Sequence, residues 1–202
     1  FPVECILLDD GFHHLALHRN ADLLLVDATD IEGLRAVFPA GRLREPLDAA
    51  ARAAMIVVTK ADHPQQVAAV MELLRPIVAA PVAQAVFRPE TMVSVKSGAM
   101  EPLSWCRGKT ALLCSGIADP ESFRALAIRL GMTPVDSLMY RDHHRYTSED
   151  VSSVRAKAAA MKADMIVTTE KDAGKLAPLL ASSDSDWWAV RLGTDIIAGE
   201  QE

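Results

Sequence analysis

Short apolar runs alternate with amphipathic stretches along most of the chain. Ile6, Leu7 and Leu8 form an unbroken apolar run that ends in Asp9, Asp10 and Gly11, and such a run reads as a buried parallel strand. Residues 21–27 (ADLLLVD) are a second run closing on an aspartate, and residues 55–59 (MIVVT) are a third. Between them, residues 33–46 are bounded by Gly and Pro and read as an ordered loop, while the Ala-rich residues 47–54 are helical by propensity. Residues 65–74 place Val67, Val70, Met71 and Leu74 at helical spacing. Strand, helix and strand in this order predict a doubly wound parallel sheet.

The texture changes over residues 81–95, where β-rich runs are broken by prolines, as in a strand pair or a sheet edge. Residues 109–114 (KTALLC) restore the buried-strand pattern. Asp119 then caps a helix with Pro120 at its first position and Glu121 in its first turn, and Gly131 stops it. A short strand is expected over 135–139, and a helix capped by Ser148, Glu149 and Asp150 runs to about Met161. A strand at 165–168, a short helix to about Leu180 and a last strand at 188–192 complete the pattern. Trp187 and Trp188 read as packing residues, and residues after Asp195 are expected to fray. No linker forces an internal boundary, so residues 1–202 are taken as one α/β body.

Composition narrows the function classes. Lys plus Arg number 21 against 27 Asp plus Glu, and the resulting charge of −6 argues against a general nucleic-acid partner. Cys5, Cys106 and Cys114 contain no C-x-x-C pair, which points to neither a disulfide framework nor a zinc site but to a reducing compartment. No apolar run has the length of a membrane span and no signal peptide is recognisable, so membrane contact is expected to be peripheral. The chain opens Phe1-Pro2-Val3-Glu4 and runs almost directly into an apolar segment, which suggests the later part of a longer protein.

Candidate chemistry sits at the predicted strand ends. Asp9 and Asp10 lie where open α/β sheets bind ligands, and an apolar strand ending in Asp is how P-loop enzymes hold Mg²⁺. The alternative is a turn in which Gly11 supplies a positive φ. Arg42 and Arg44 offer two guanidinium forks suited to phosphate, or else a solvated loop. Asp142 precedes His143 and His144, flanked by Arg141 and Arg145. A neighbouring carboxylate can orient an imidazole for proton handling, whereas an exposed turn needs no such role. The triplet also suggests metal-dependent DHH phosphoesterases, but there it follows an early strand and has partner motifs not found here. Thr168, Thr169, Glu170, Lys171 and Asp172 could touch a ligand or cap the next helix. Thr59-Lys60-Ala61-Asp62 is expected to be structural, and His13, His14 and His18 lack zinc-site company.

DDGFHH (9–14), FPAGRLREP (38–46), GIADPESF (116–123), DHHRY (142–146) and TTEKD (168–172) together resemble, in order, the motifs of the tetraacyldisaccharide 4'-kinase family. His13 replaces the family's usual Gln. The resemblance implies a P-loop-kinase-like doubly wound parallel sheet with flanking helices, its N-terminal portion missing. It implies transfer of the γ-phosphoryl group of ATP to the 4'-hydroxyl of tetraacyldisaccharide 1-phosphate, giving lipid IVA at the cytoplasmic face of the bacterial inner membrane. By the same resemblance Asp9 and Asp10 hold Mg²⁺ and contribute to nucleotide binding. Arg44 serves the phosphates or the transition state, and His143 assists a catalytic Asp that lies outside these residues. His14, Arg42, Asp142, Thr169, Glu170 and Lys171 are the implied substrate contacts. The sequence G-x-x-x-x-G-K-[ST] does not occur here, and neither does the family's G-D-E-P segment, so the chain by itself is expected to be inactive. The alternative is a shortened, non-catalytic domain that binds a ligand or partner.

Overall fold

A computed structural model describes residues 2–184 and 186–199. Contacts divide the chain into two compact units, Phe1–Phe87 with Thr194–Glu202, and Arg88–Gly193.

In the first unit, β1 (Leu23–Asp27) and β2 (Met55–Thr59) pair in parallel, and β2 pairs in parallel with the start of β3 (Val82–Ser94). Ile56 and Val58 are fully buried, as β-branched residues on a covered strand should be. Helix α1 (Pro64–Leu74) has Pro in its first turn, where the missing N–H is harmless, and lays Val67, Val70 and Leu74 on that sheet with Val26 and Val86. The Ala-rich segment winds as a tighter 3-10 helix, Leu47–Arg52, because six residues between Pro46 and an extended Ala53 are too few to sustain an α-helix.

The expected first strand is not formed. Ile6 and Leu7 are 82% and 90% exposed, and residues 5–8 have no regular structure. A strand exists only where a neighbour takes its backbone N–H and C=O groups, and among the described residues none does so here.

In the second unit, the far end of β3 pairs antiparallel with β4 (Met100–Pro102), so the proline-broken stretch is one long strand joined by a short partner. β5 (Thr110–Ser115) is central, between β6 (Thr133–Met139) and β7 (Met165–Thr169), with the start of β8 (Trp187–Ala198) beside β7, all parallel. Alternation along the strands builds two cores. Leu113 and Val167 face α2 (Pro120–Arg129) through Phe123 and Ala127. Leu112 and Ile166 face α3 (Ser148–Ala160) through Val151, Val154 and Ala158, and α4 (Glu170–Leu176) through Leu176. Asp119 caps α2 as expected, accepting from the Ser122 N–H at 3.0 Å. The cap of α3 is Thr147 rather than Ser148, in a reciprocal box with Asp150. Trp187 is fully buried and Trp188 packs against Trp105 with tilted rings 4.2 Å apart. β8 continues through residues 196–198, which were expected to fray; residues 200–202 lie outside the described residues.

Candidate active site

In the first unit, Asp9 and Asp10 occupy a turn, and Arg19 fastens the backbone that follows it. Its guanidinium binds Asp22 through two contacts of 2.7 and 3.1 Å and donates to the backbone carbonyls of Phe12, His14 and Leu17. The left-handed residue of the turn is Asp10 (φ 53°), not Gly11. Gly11 lies against the Leu8 side chain, which would have to shift to make room for a Cβ there. A non-glycine residue at positive φ is uncommon outside turns and functional sites.

Asp10 meets Arg44 across this turn, Nη2 to Oδ2 at 2.7 Å. Arg44 Nη1 lies 3.3 Å from His13 Nε2, and His13 Nδ1 lies 3.9 Å from the other oxygen of Asp10. Arg44 is held in place because its loop closes on itself. Phe38 N donates to Leu43 O at 2.8 Å and Leu43 N to Ala36 O at 3.2 Å, and a Cβ on Gly41 would collide with the Ala36 carbonyl. Arg42 pairs with Asp30 at 3.2 Å, so of the two arginines only Arg44 meets Asp10. Asp10, His13, Arg42 and Arg44 line a cleft of about 220 Å³ floored by Leu24, Leu47 and Ala50. The His14 ring lies tilted against that of His13 at 4.2 Å, and Asp9 is exposed. This is an open, charged cleft in which a carboxylate and a guanidinium converge.

In the second unit, three motifs converge at the carboxyl ends of β5, β6 and β7. The helices that follow the neighbouring strands β5 and β7 leave toward opposite faces, which makes a topological switch point. Here the crevice is filled by protein. Asp172, fully buried, accepts from the Gly116 N–H at 2.8 Å and the Thr169 hydroxyl at 2.8 Å, and pairs with Lys175 at 3.1 Å. The Tyr146 hydroxyl lies so close to Gly116 that a Cβ there would sit 3.1 Å from it. Burial pushes the Tyr140 phenol up to about 12, and the buried Cys114 thiol likewise to about 12. Both are neutral at physiological pH.

The two histidines of DHHRY have different surroundings. His144 is half-buried, 3.0 Å from Asp150, stacked at 4.5 Å on Tyr140 and edge-on to Tyr146. His143 has a left-handed backbone (φ 59°) and a side chain 77% exposed, 3.7 Å from Asp142. Asp142 accepts from Lys171 at 2.9 Å, and this hydrogen bond holds its carboxyl below the usual range. Thr169 caps α4, accepting from Asp172 N, and Glu170 pairs with Arg191 at 3.3 Å. Lys60 is engaged structurally, 2.6 Å from Asp27.

One anchor was absent from the sequence candidates: Arg19 carries no motif signal, because its partners are mostly backbone carbonyls. Asp172 was expected to touch a ligand or cap the next helix, and it is the buried member of the cap that Thr169 makes three residues earlier.

A family model described as tetraacyldisaccharide-1-P 4'-kinase matches residues 1–202. The tetraacyldisaccharide 4'-kinase of Syntrophus aciditrophicus is 34% identical over 188 residues, covering 87% of this chain and 50% of that protein. That of Syntrophobacter fumaroxidans is 37% identical over 183 residues, covering 88% and 47%. The crystal structure of LpxK from Aquifex aeolicus in complex with ATP superposes with a TM-score of 0.64 at 23% identity, covering 93% of this chain and 52% of that one. That likeness shows the shared fold, a mostly parallel sheet with flanking helices of the P-loop-kinase-like kind. The chain spans about half the length of the curated relatives it matches. With the five motifs in order and the family model matched throughout, the chain belongs to the tetraacyldisaccharide-1-P 4'-kinase family.

Proposed function

We propose that these residues form the C-terminal half of an enzyme that transfers the γ-phosphoryl group of ATP to the 4'-hydroxyl of a tetraacyldisaccharide 1-phosphate, giving lipid IVA. The observation that carries this reading is the Asp10–Arg44 contact of 2.7 Å, which joins two family motifs over one charged cleft. Phosphoryl transfer is catalysed chiefly by placing groups that stabilise charge on the transferring phosphate. Arg44 spends two N–H groups on Asp10 and His13, and a guanidinium has five, so donors remain for phosphate oxygens.

Asp9 and Asp10 fit a magnesium ion by the chemistry of their donors. Mg²⁺ prefers hard oxygens and is commonly held by one or two carboxylates with substrate phosphates and water. Bound there, the ion would neutralise phosphate charge. His143 presents an exposed imidazole beside an ionised Asp142, suited to taking the proton of the acceptor hydroxyl together with an acidic group from the other half of the enzyme. The lipid substrate places the enzyme peripherally at the cytoplasmic face of the inner membrane. No helix among the described residues is long and apolar enough to cross a membrane.

The test is a kinase assay of the family-length protein that carries these residues as its C-terminal half, with ATP and tetraacyldisaccharide 1-phosphate. A product with one added phosphate is expected, and His143→Ala should depress kcat more than it raises the KM for ATP. No transfer by the family-length protein would overturn the reading in favour of a binding domain. The isolated 202-residue chain should transfer nothing, and product from it would refute the need for the other half.

A further inference from the structure

Lys171 and Asp142 come from different motifs, 29 residues apart in sequence, and meet at 2.9 Å. The Asp142 oxygen that accepts from Lys171, Oδ1, also accepts the backbone N–H of His143 at 2.9 Å. That N–H belongs to a residue at φ 59°, in the left-handed region that Asn, Asp and His enter more readily than other L residues. The second oxygen of Asp142 faces the His143 imidazole at 3.7 Å. One carboxylate therefore holds the backbone of His143 and faces its ring, and its own position is set by an ammonium at the start of α4, the helix that follows β7.

We propose that Lys171 is a positioning residue for His143, acting through Asp142, and this rests on the reading of His143 as the proton-handling histidine. Exposed ion pairs stabilise a fold little, and the Lys171 and Asp142 side chains are 45% and 39% exposed, so fold stability does not explain the contact. Its consequence is geometric. The base of Lys171 is fixed because Thr169 caps α4 and the next residue, Asp172, is buried and bonded to Gly116. Lys171 thereby ties the DHHRY loop to the helix that starts at the end of β7. A proton-handling group displaced by even about 1 Å loses on the order of 10²-fold in rate. The charged groups around the imidazole are Asp142 on its own loop and Lys171 from α4, with Arg141 and Arg145 flanking it in sequence.

The experiment compares Lys171→Met, Lys171→Arg, His143→Ala and the Lys171→Met/His143→Ala double variant in the family-length kinase. Lys171→Met should lower kcat at least tenfold with the KM for ATP within twofold of wild type. Lys171→Arg should recover most of the loss, because a guanidinium can also reach Asp142. In the His143→Ala background, Lys171→Met should cost nothing further, since nothing is left to position. If His143→Ala is crippled but Lys171→Met turns over at the wild-type rate, the positioning role is wrong and the functional reading stands. A Lys171→Met loss that persists undiminished in the His143→Ala background also overturns it. If His143→Ala itself is fully active, the assignment of His143 falls and takes this inference with it.

Discussion

Asp10 and Arg44 share a contact of 2.7 Å although both side chains are about three-fifths exposed. Such a pair contributes about 0–1 kcal/mol to folding, so its value lies in where it holds the two groups. Arg44→Ala in the family-length kinase should therefore leave thermal stability nearly unchanged and lower kcat on the order of 10²–10³-fold, the usual cost of losing one stabiliser of transition-state charge. Arg44→Lys should recover little, because an ammonium cannot span Asp10 and His13 with a planar fork. Steady-state kinetics of both variants beside a melting curve decides this, and a fully active Arg44→Lys would contradict it.

Asp10→Ala should abolish most of kcat with a stability change too small to account for the loss. A variant that keeps its rate would remove Asp10 from the proposed magnesium set.

Asp172 should behave in the opposite way. Removing its carboxylate strands the buried Gly116 N–H, while the partly exposed Lys175 ammonium can turn to water. Leaving a buried donor unsatisfied costs about 1–3 kcal/mol. Asp172→Ala should lower the denaturation midpoint strongly, followed by fluorescence of the nearby buried Trp187 and Trp188. A midpoint equal to wild type would show that Asp172 is not the anchor of this switch point.

The acid side of the stability curve follows from Asp142 and Asp150. The Lys171 hydrogen bond lowers Asp142. For Asp150 burial acts upward, but hydrogen bonds from His144 and Thr147 together outweigh it and bring the carboxyl below 3.8. A carboxyl depressed in the folded state contributes stability above its unfolded pKa, and that contribution is lost as pH falls through the folded pKa. Stability should thus hold down to about pH 4 and decline below it. Asp150→Asn should lower the neutral plateau and flatten the acid decline in urea titrations. Parallel curves for the two proteins would exclude Asp150 as a source of the acid sensitivity.

Unit one carries an apolar strand edge. Leu23 and Leu25 on β1 are 59% and 67% exposed, near in sequence to the equally exposed Leu15 and Leu17, and β1 pairs with β2 alone among the described residues. An uncovered, apolar edge strand is a template for association. The isolated chain should therefore self-associate as its concentration rises, and Leu25→Lys should reduce this in light-scattering measurements. An isolated chain that stays monomeric at high concentration would argue against an open edge.

Much of the fold was legible because several strands are buried on both faces. Residues 55–59, 109–114 and 165–168 read as short, mostly apolar strands, within a residue of the strands formed, and a run of that kind between helices has few other uses. The same signature misled at Ile6, Leu7 and Leu8, because apolarity states that a segment can be covered and not that a neighbour is there to pair with it. The helix caps were legible to within a residue, since Asp119 and Thr147 act on backbone groups three positions away.

By itself the sequence determined the α/β class, the order of its elements and the five motifs that mark the family, because those depend on local periodicity and on residue types at short spacing. Only the tertiary structure decided that Arg44 and not Arg42 meets Asp10, that His144 is packed while His143 stands at the surface, and that Lys171 reaches Asp142. Neighbouring residues with the same side chain look alike along the chain. Which of them turns inward or outward depends on backbone angles such as those at Asp10 and His143, and on partners brought close by strand order and helix direction.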